Sequence, residues 1–246
     1  LQAFYHAGKA RSTRASTSQP TLNRLVAAPD QPVGLEATIA GDEIAYVYYF
    51  AGRPLASDPK TVEVLALDYI YPPGATLGDS AHTWRDGDQV QLSWRSTSWY
   101  LSNGTDVVLA PLGPIDYGSN TYSVEGTYTR SSGARIPVSL EFGVAQGRGA
   151  LEHIWAFDKG GSDNPRPREL KPKPGDSFTP AIMLYATEGG ADDRTNEGTP
   201  ITFGDTPLSA FEGPAPAGSY VIGLLVENIA GEVSDQYASV MVANPG

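Results

Sequence analysis

The chain has no cysteine among its 246 residues, and that absence removes a disulfide framework, a thiolate metal site and a cysteine nucleophile from consideration. It assigns no compartment, because exported bacterial proteins often lack cysteine as well. Long apolar runs are missing too, and none approaches the roughly 18 residues of a membrane span. Leu1-Gln2-Ala3-Phe4-Tyr5-His6 lacks the pattern of a signal peptide. The chain therefore reads as either cytosolic or a mature exported form. Charged residues amount to only 18%, while Tyr, Thr, Ser and Gly are plentiful, which favours an extracellular or cell-surface location. Basic residues are few, 17 against 28 acidic, for a net charge of −11. Such a body repels nucleic acid, and no basic stripe with interleaved aromatics offsets that. No repeat, heptad or long amphipathic helix is present.

What is abundant favours strands. Gly 27, Pro 20, Tyr 13 and many Thr and Val make this an all-β chain. Residues 1–29 carry Lys9, Arg11, Arg14 and Arg24 and no acidic residue, so the remainder holds −15 of the charge. Residues 1–32 read as a flexible basic linker or arm, with Lys9, Arg11 and Arg14 as a candidate processing segment. Strands then follow at short intervals. Gly34–Ala40 and Glu43–Gly52 form an early pair, with Ile44, Tyr46, Tyr48 and Phe50 expected on one face. Thr61–Tyr71 ends at Pro72-Pro73-Gly74. Gln89–Arg95, Tyr122–Arg130 and Val138–Val144 alternate with period two, as strands of an antiparallel meander with one wet face do. Asn103-Gly104 and Ser132-Gly133 supply hairpin turns. Leu151–Phe157 closes this block. Phe178–Ala186 is apolar on both faces, and Ser219–Val242 forms a closing hairpin whose expected sheet partners lie at residues 35–71.

The expected fold is an immunoglobulin-like β-sandwich of residues 33–75 and 170–245, interrupted by an inserted antiparallel β-meander of residues 84–158. Two tandem β-sandwiches are the alternative.

Candidate chemistry is sparse. His6 lies in the arm and His82 in a loop, while His153 shares its face with Leu151, Trp155 and Phe157 and reads as packed with a satisfied ring nitrogen. Gly78-Asp79-Ser80 and Gly175-Asp176-Ser177 resemble the nucleophile block of GDS-type esterases. Those enzymes need an α/β sheet and a later histidine, and none follows His153. Glu125, Glu141 and Glu152 fall on outward faces of neighbouring strands, and Trp84, Trp94, Trp99 and Tyr100 are of the type that stacks on sugars or fills a core. Gly189–Gly198 carries oxygen side chains suited to calcium but departs from the EF-hand order, and Arg194 interrupts it. Asn103-Gly104-Thr105 is a glycosylation sequon that the hairpin turn already explains. No catalytic, metal or cofactor site is assigned.

Three stretches carry a family likeness: Leu35-Glu36-Ala37-Thr38-Ile39-Ala40-Gly41-Asp42-Glu43-Ile44-Ala45-Tyr46-Val47-Tyr48, Pro174-Gly175-Asp176-Ser177-Phe178-Thr179, and Ala215-Pro216-Ala217-Gly218-Ser219-Tyr220-Val221-Ile222-Gly223. Together they resemble the all-β region that follows the catalytic domain in some bacterial secreted clostripain-like cysteine peptidases. That family's catalytic domain is caspase-like, with a His–Cys dyad and cleavage after Arg or Lys. This sequence has neither cysteine nor an alternating βα pattern, so no catalytic residue transfers. The resemblance implies a non-catalytic accessory region whose basic segment at Lys9, Arg11 and Arg14 is of the kind such an enzyme cuts. The implied partner is a catalytic chain. Two other readings stand beside it: a subunit of an extracellular filament or surface layer, joined to identical subunits through Arg24–Ala28, and a carbohydrate-binding module.

Overall fold

The computed structural model describes residues 15–75, 83–111, 120–157, 167–186 and 195–244, and among these every regular element is a strand. In chain order they are β1 (Ala15–Thr17), β2 (Thr21–Leu22), β3 (Val26–Ala27), β4 (Pro32–Gly41), β5 (Ile44–Pro54) and β6 (Thr61–Tyr69). Next come β7 (Gln89–Arg95), β8 (Thr97–Ser102), β9 (Val107–Ala110), β10 (Thr121–Thr129), β11 (Arg135–Ala145) and β12 (Arg148–Ala156). The last are β13 (Arg168–Glu169), β14 (Ser177–Ala186), β15 (Thr195–Glu197), β16 (Ile201–Thr202), β17 (Ser209–Pro214), β18 (Gly218–Asn228) and β19 (Val233–Val242). The all-β expectation is borne out. The chain divides into two compact units, Leu1–Thr97 with Leu184–Arg194 and Pro214–Gly246, and Ser98–Met183 with Thr195–Gly213.

The first unit is a sandwich. One sheet is centred on β4, which pairs with β1 and β2 along one edge and with β7 along the other. The second runs β3-β19-β18-β5-β6. Period two in β4 turns Val33, Leu35, Ala37 and Ile39 inward, where they meet Val47 and Ala51 of β5 and Tyr220, Ile222, Leu224 and Val226 of β18. Trp94 of β7 and Tyr220 of β18 touch across the two layers, ring centroids 5.7 Å apart. β18 lies between β5 and β19 and is buried along most of its length, as a central strand should be. The closing hairpin thus finds its expected partner in β5. Its turn is held by Asn228, whose Oδ1 accepts from the N–H groups of Ala230 and Glu232 at 3.0 and 2.9 Å.

One expected face of β5 is altered by a bulge. Glu227 pairs with Tyr46 but Asn228 pairs with Ile44, so Ala45 is the extra residue. Ile44 consequently enters the sandwich core, while Tyr46 lies exposed and Tyr48 and Phe50 join other contacts.

The second unit is a curved sheet in the order β14-β10-β11-β12-β17-β8-β9, with β16 beside β14 and β13 beside β12. Its inward residues include Tyr122, Val124 and Tyr128 of β10, Val138, Leu140 and Phe142 of β11, and Trp99 and Leu101 of β8. Trp99 packs on Tyr122 at 5.1 Å, which shows the β8 end of the sheet folding back over β10. The β11–β12 turn uses Gln146 (φ 52°) and Gly147 (φ 71°), two successive left-handed residues that match the twist of a two-residue hairpin. Asn103 caps the β8–β9 turn, its Oδ1 accepting from Thr105 and Asp106 at 2.9 and 2.7 Å, with Gly104 at φ 88°. β7, which shares its alternation with β10 and β11, pairs with β4 of the first unit.

Candidate functional site

The richest cluster of polar chemistry lies on the wet face of β11, β12 and β13. Strict alternation along β12 would put Leu151, His153, Trp155 and Phe157 together, but a bulge opposite Glu141 and Phe142 breaks the period. Glu141 pairs with His153 and Phe142 with Leu151, which makes Glu152 the extra residue. Leu151 stays packed on the core, whereas His153 turns to the outer surface and keeps 40% of its side-chain exposure. The expected satisfied ring nitrogen is present, since His153 Nδ1 lies 3.2 Å from Glu169 Oε1, but the ring sits at the surface. It stacks on Trp155 at 4.9 Å, and Trp155 Nε1 donates to Glu141 Oε2 at 3.2 Å.

Glu141, Glu152 and His153 each bring a donor atom within 4.8 Å of the other two. Gly143 makes room for this, because a Cβ there would meet Glu152 Oε1 at 2.2 Å. Glu169 completes the face from β13. Lys171, 2.5 Å away, and then His153 hold its carboxyl below the usual range, against the opposing effect of desolvation. The sequence exposed the glutamates and Trp155. It did not expose Glu169, which lies in a proline-rich stretch that reads as a breaker.

A second feature on the same unit is an open groove of about 580 Å³ lined by Glu125, Thr127, Phe157, Thr179 and Asn196 among others. Glu197 lines it as well and is ion-paired with Arg135, so that part of the calcium candidate is already engaged. Its residues 189–194 lie outside the described residues, as do Lys9, Arg11 and Arg14, His6, His82 and Gly78-Asp79-Ser80.

Several sequence candidates have structural roles. Trp84, Trp94 and Trp99 are 6–7% exposed and belong to the cores, so they offer no stacking surface to a sugar. Tyr100 stacks on Phe211 at 5.4 Å. Asp176, 4% exposed, accepts from the Tyr128 hydroxyl and from Ser131 N at 2.9 Å. Its Gly-Asp-Ser block is therefore a turn anchor, with Gly175 at φ 87°.

In the first unit the outer face of β5 and β6 carries a run of tyrosines. Ring centroids are 6.1 Å apart for Tyr46 and Tyr48, 5.8 Å for Tyr48 and Tyr69, and 4.8 Å for Tyr69 and Tyr71. Tyr46 and Tyr71 are 47% and 42% exposed. Desolvation first, then the Glu227 carboxylate, pushes the Tyr48 hydroxyl up to about 12, so it stays a neutral donor at physiological pH.

No family model matches the chain, and no curated protein matches it. Among solved structures, dimeric latent PorU from Porphyromonas gingivalis aligns with 94% of this chain at 11% identity and a TM-score of 0.21, over 24% of its own length. The chain thus spans about a quarter of that protein, and a likeness of this degree carries no argument about fold or function. No helix among the described residues is long and apolar enough to cross a membrane.

Proposed function

We propose that this chain is a non-catalytic accessory β-sandwich region of a secreted, clostripain-like peptidase, a processed chain that stays with its catalytic partner. The observation that carries the reading is the tyrosine face of β5 and β6. Tyrosine offers large, rigid contact area with a polar tip and is enriched where proteins dock. Here four such rings contact one another in sequence, and the outermost two are open to solvent. In this reading the protein works at the cell surface or outside the cell, and the sandwich proposed over residues 33–75 with 170–245, joined by β7 at β4, presents this face. Residues 84–158, apart from β7, which joins β4, are the inserted part of the same proposal.

The filament alternative needs Arg24–Ala28 to pair with another copy. Val26 and Ala27 instead lie parallel to Met241 and Val242 of their own chain, so donation between copies requires exchange of this strand.

The test has two steps. Reading the gene upstream of Leu1 is expected to show a His/Cys catalytic domain, and its absence would sink the reading. That catalytic domain, expressed separately, is then expected to co-purify with the chain, and Tyr46→Ser with Tyr71→Ser is expected to weaken the complex at least tenfold. Unaltered binding by the double variant would remove the tyrosine face from the proposal.

A further inference from the structure

We infer that Glu141, Glu152 and His153 form a binding site for a divalent transition ion of the zinc type, on the face opposite the core of β11 and β12. This goes beyond the accessory reading and does not depend on it. The donor set mixes one imidazole nitrogen with two carboxylates, the combination that zinc accepts with a position left for water. Calcium and magnesium favour oxygen donors alone. The donor atoms lie within 4.8 Å of one another. Bonds of about 2.0–2.2 Å to a shared ion would draw them closer by rotation of two flexible glutamates.

Three features distinguish this group from a chance meeting of surface acids. The bulge places Glu152 and His153 on the same side of β12, where an unbroken strand would put them on opposite sides. Gly143 leaves open the space that the Glu152 carboxylate occupies. The ligands are also oriented from outside the trio. Glu169 Oε1 lies 3.2 Å from His153 Nδ1, which in this proposal leaves Nε2 for the metal, and Trp155 Nε1 donates to Glu141. Metal-bound histidines and carboxylates are supported by partners of this kind, and their loss typically weakens affinity by about 10–100-fold.

The experiment is titration of the full 246-residue chain with Zn²⁺ by calorimetry, with Co²⁺ absorption as a reading of coordination geometry. One Zn²⁺ per chain is expected, together with visible Co²⁺ bands of a low-coordinate site. His153→Gln and Glu152→Gln are each expected to weaken Zn²⁺ binding at least 30-fold. Glu169→Gln, which touches no metal, is expected to weaken it about tenfold and to leave the Co²⁺ bands in place. Circular dichroism establishes that each variant is folded, as expected for surface positions. Absence of Zn²⁺ binding at millimolar concentration overturns the proposal. Wild-type affinity in His153→Gln also overturns it, because the ion would then sit on His6 or His82.

Discussion

Removing the Tyr128 hydroxyl is expected to destabilise the protein by about 1.5–3 kcal/mol, the range for a hydrogen bond to a charged partner. The hydroxyl donates to the Asp176 carboxylate, which is 4% exposed and also receives the Ser131 N–H at 2.9 Å. In Tyr128→Phe the ring still fills its place beside Phe203, 5.6 Å away, so the loss is confined to one donor. Asp176→Asn removes the charge but keeps an acceptor. The pair should therefore show a coupling energy of at least about 1 kcal/mol in a double-mutant cycle. Urea unfolding followed by tryptophan fluorescence reads this directly, because Trp99 belongs to the same core. The pH dependence gives an independent check. The Tyr128 hydroxyl, aided by the backbone at Ser131 and Lys173 and opposed by desolvation, lowers the Asp176 pKa. A lowered folded-state value contributes stability that is present above the ordinary value of 3.8 and is lost as pH falls through the folded one. Desolvation and then Asp176 raise the Tyr128 pKa, so its contribution is present below 10.0 and disappears as pH rises through the folded value. The difference between wild type and Tyr128→Phe should thus be flat near neutrality and shrink at both extremes. A coupling below about 0.5 kcal/mol, or a difference that persists unchanged at pH 3, would refute the argument.

Much of this fold was legible in the sequence. Period-two alternation located β7, β10 and β11, and the closing β-rich run became β18 and β19 against β5. Three things were not legible, for physical reasons. Alternation shows that a strand has one wet face but not which strand it joins, so β7 resembled the meander and yet pairs with β4 over Pro32–Thr38. A bulge leaves no compositional mark, and one extra residue reverses every side chain beyond it. At Ala45 that moved Ile44 into the core, and at Glu152 it moved His153 out of it. The tryptophans were ambiguous by nature, because a ring that stacks on a ligand and a ring that fills a core have the same composition and spacing. Only the pairing of β7 with β4, and of β8 with β9 and β17, decided in favour of burial.

The remaining predictions concern close approaches and pairs. Gly126→Ala should cost about 1–3 kcal/mol, because the new Cβ would lie 2.2 Å from Thr179 O and 2.7 Å from the Phe178 ring, and a shift in urea midpoint at constant slope measures it. Asn103→Ala should cost about 1–2 kcal/mol in the same assay, since it removes the turn acceptor and the donor to Thr202 O at 2.9 Å. The last concerns Glu63, which is 4% exposed and faces Arg53 across β5 and β6, with Arg53 Nε 2.6 Å from its carboxylate. Arg53→Met keeps the aliphatic stem and removes the cation of that pair, so the buried carboxylate loses its partner. Arg53 is 38% exposed, so water can replace part of the interaction, and the expected cost is about 2 kcal/mol, below the ~3–5 kcal/mol of a fully buried pair. The same logic predicts that Arg53→Met with Glu63→Gln is more stable than Arg53→Met alone, because the second change removes the stranded charge. Thermal unfolding of the two variants decides it: if the single variant is the more stable, the pair contributes through side-chain packing and the electrostatic account fails.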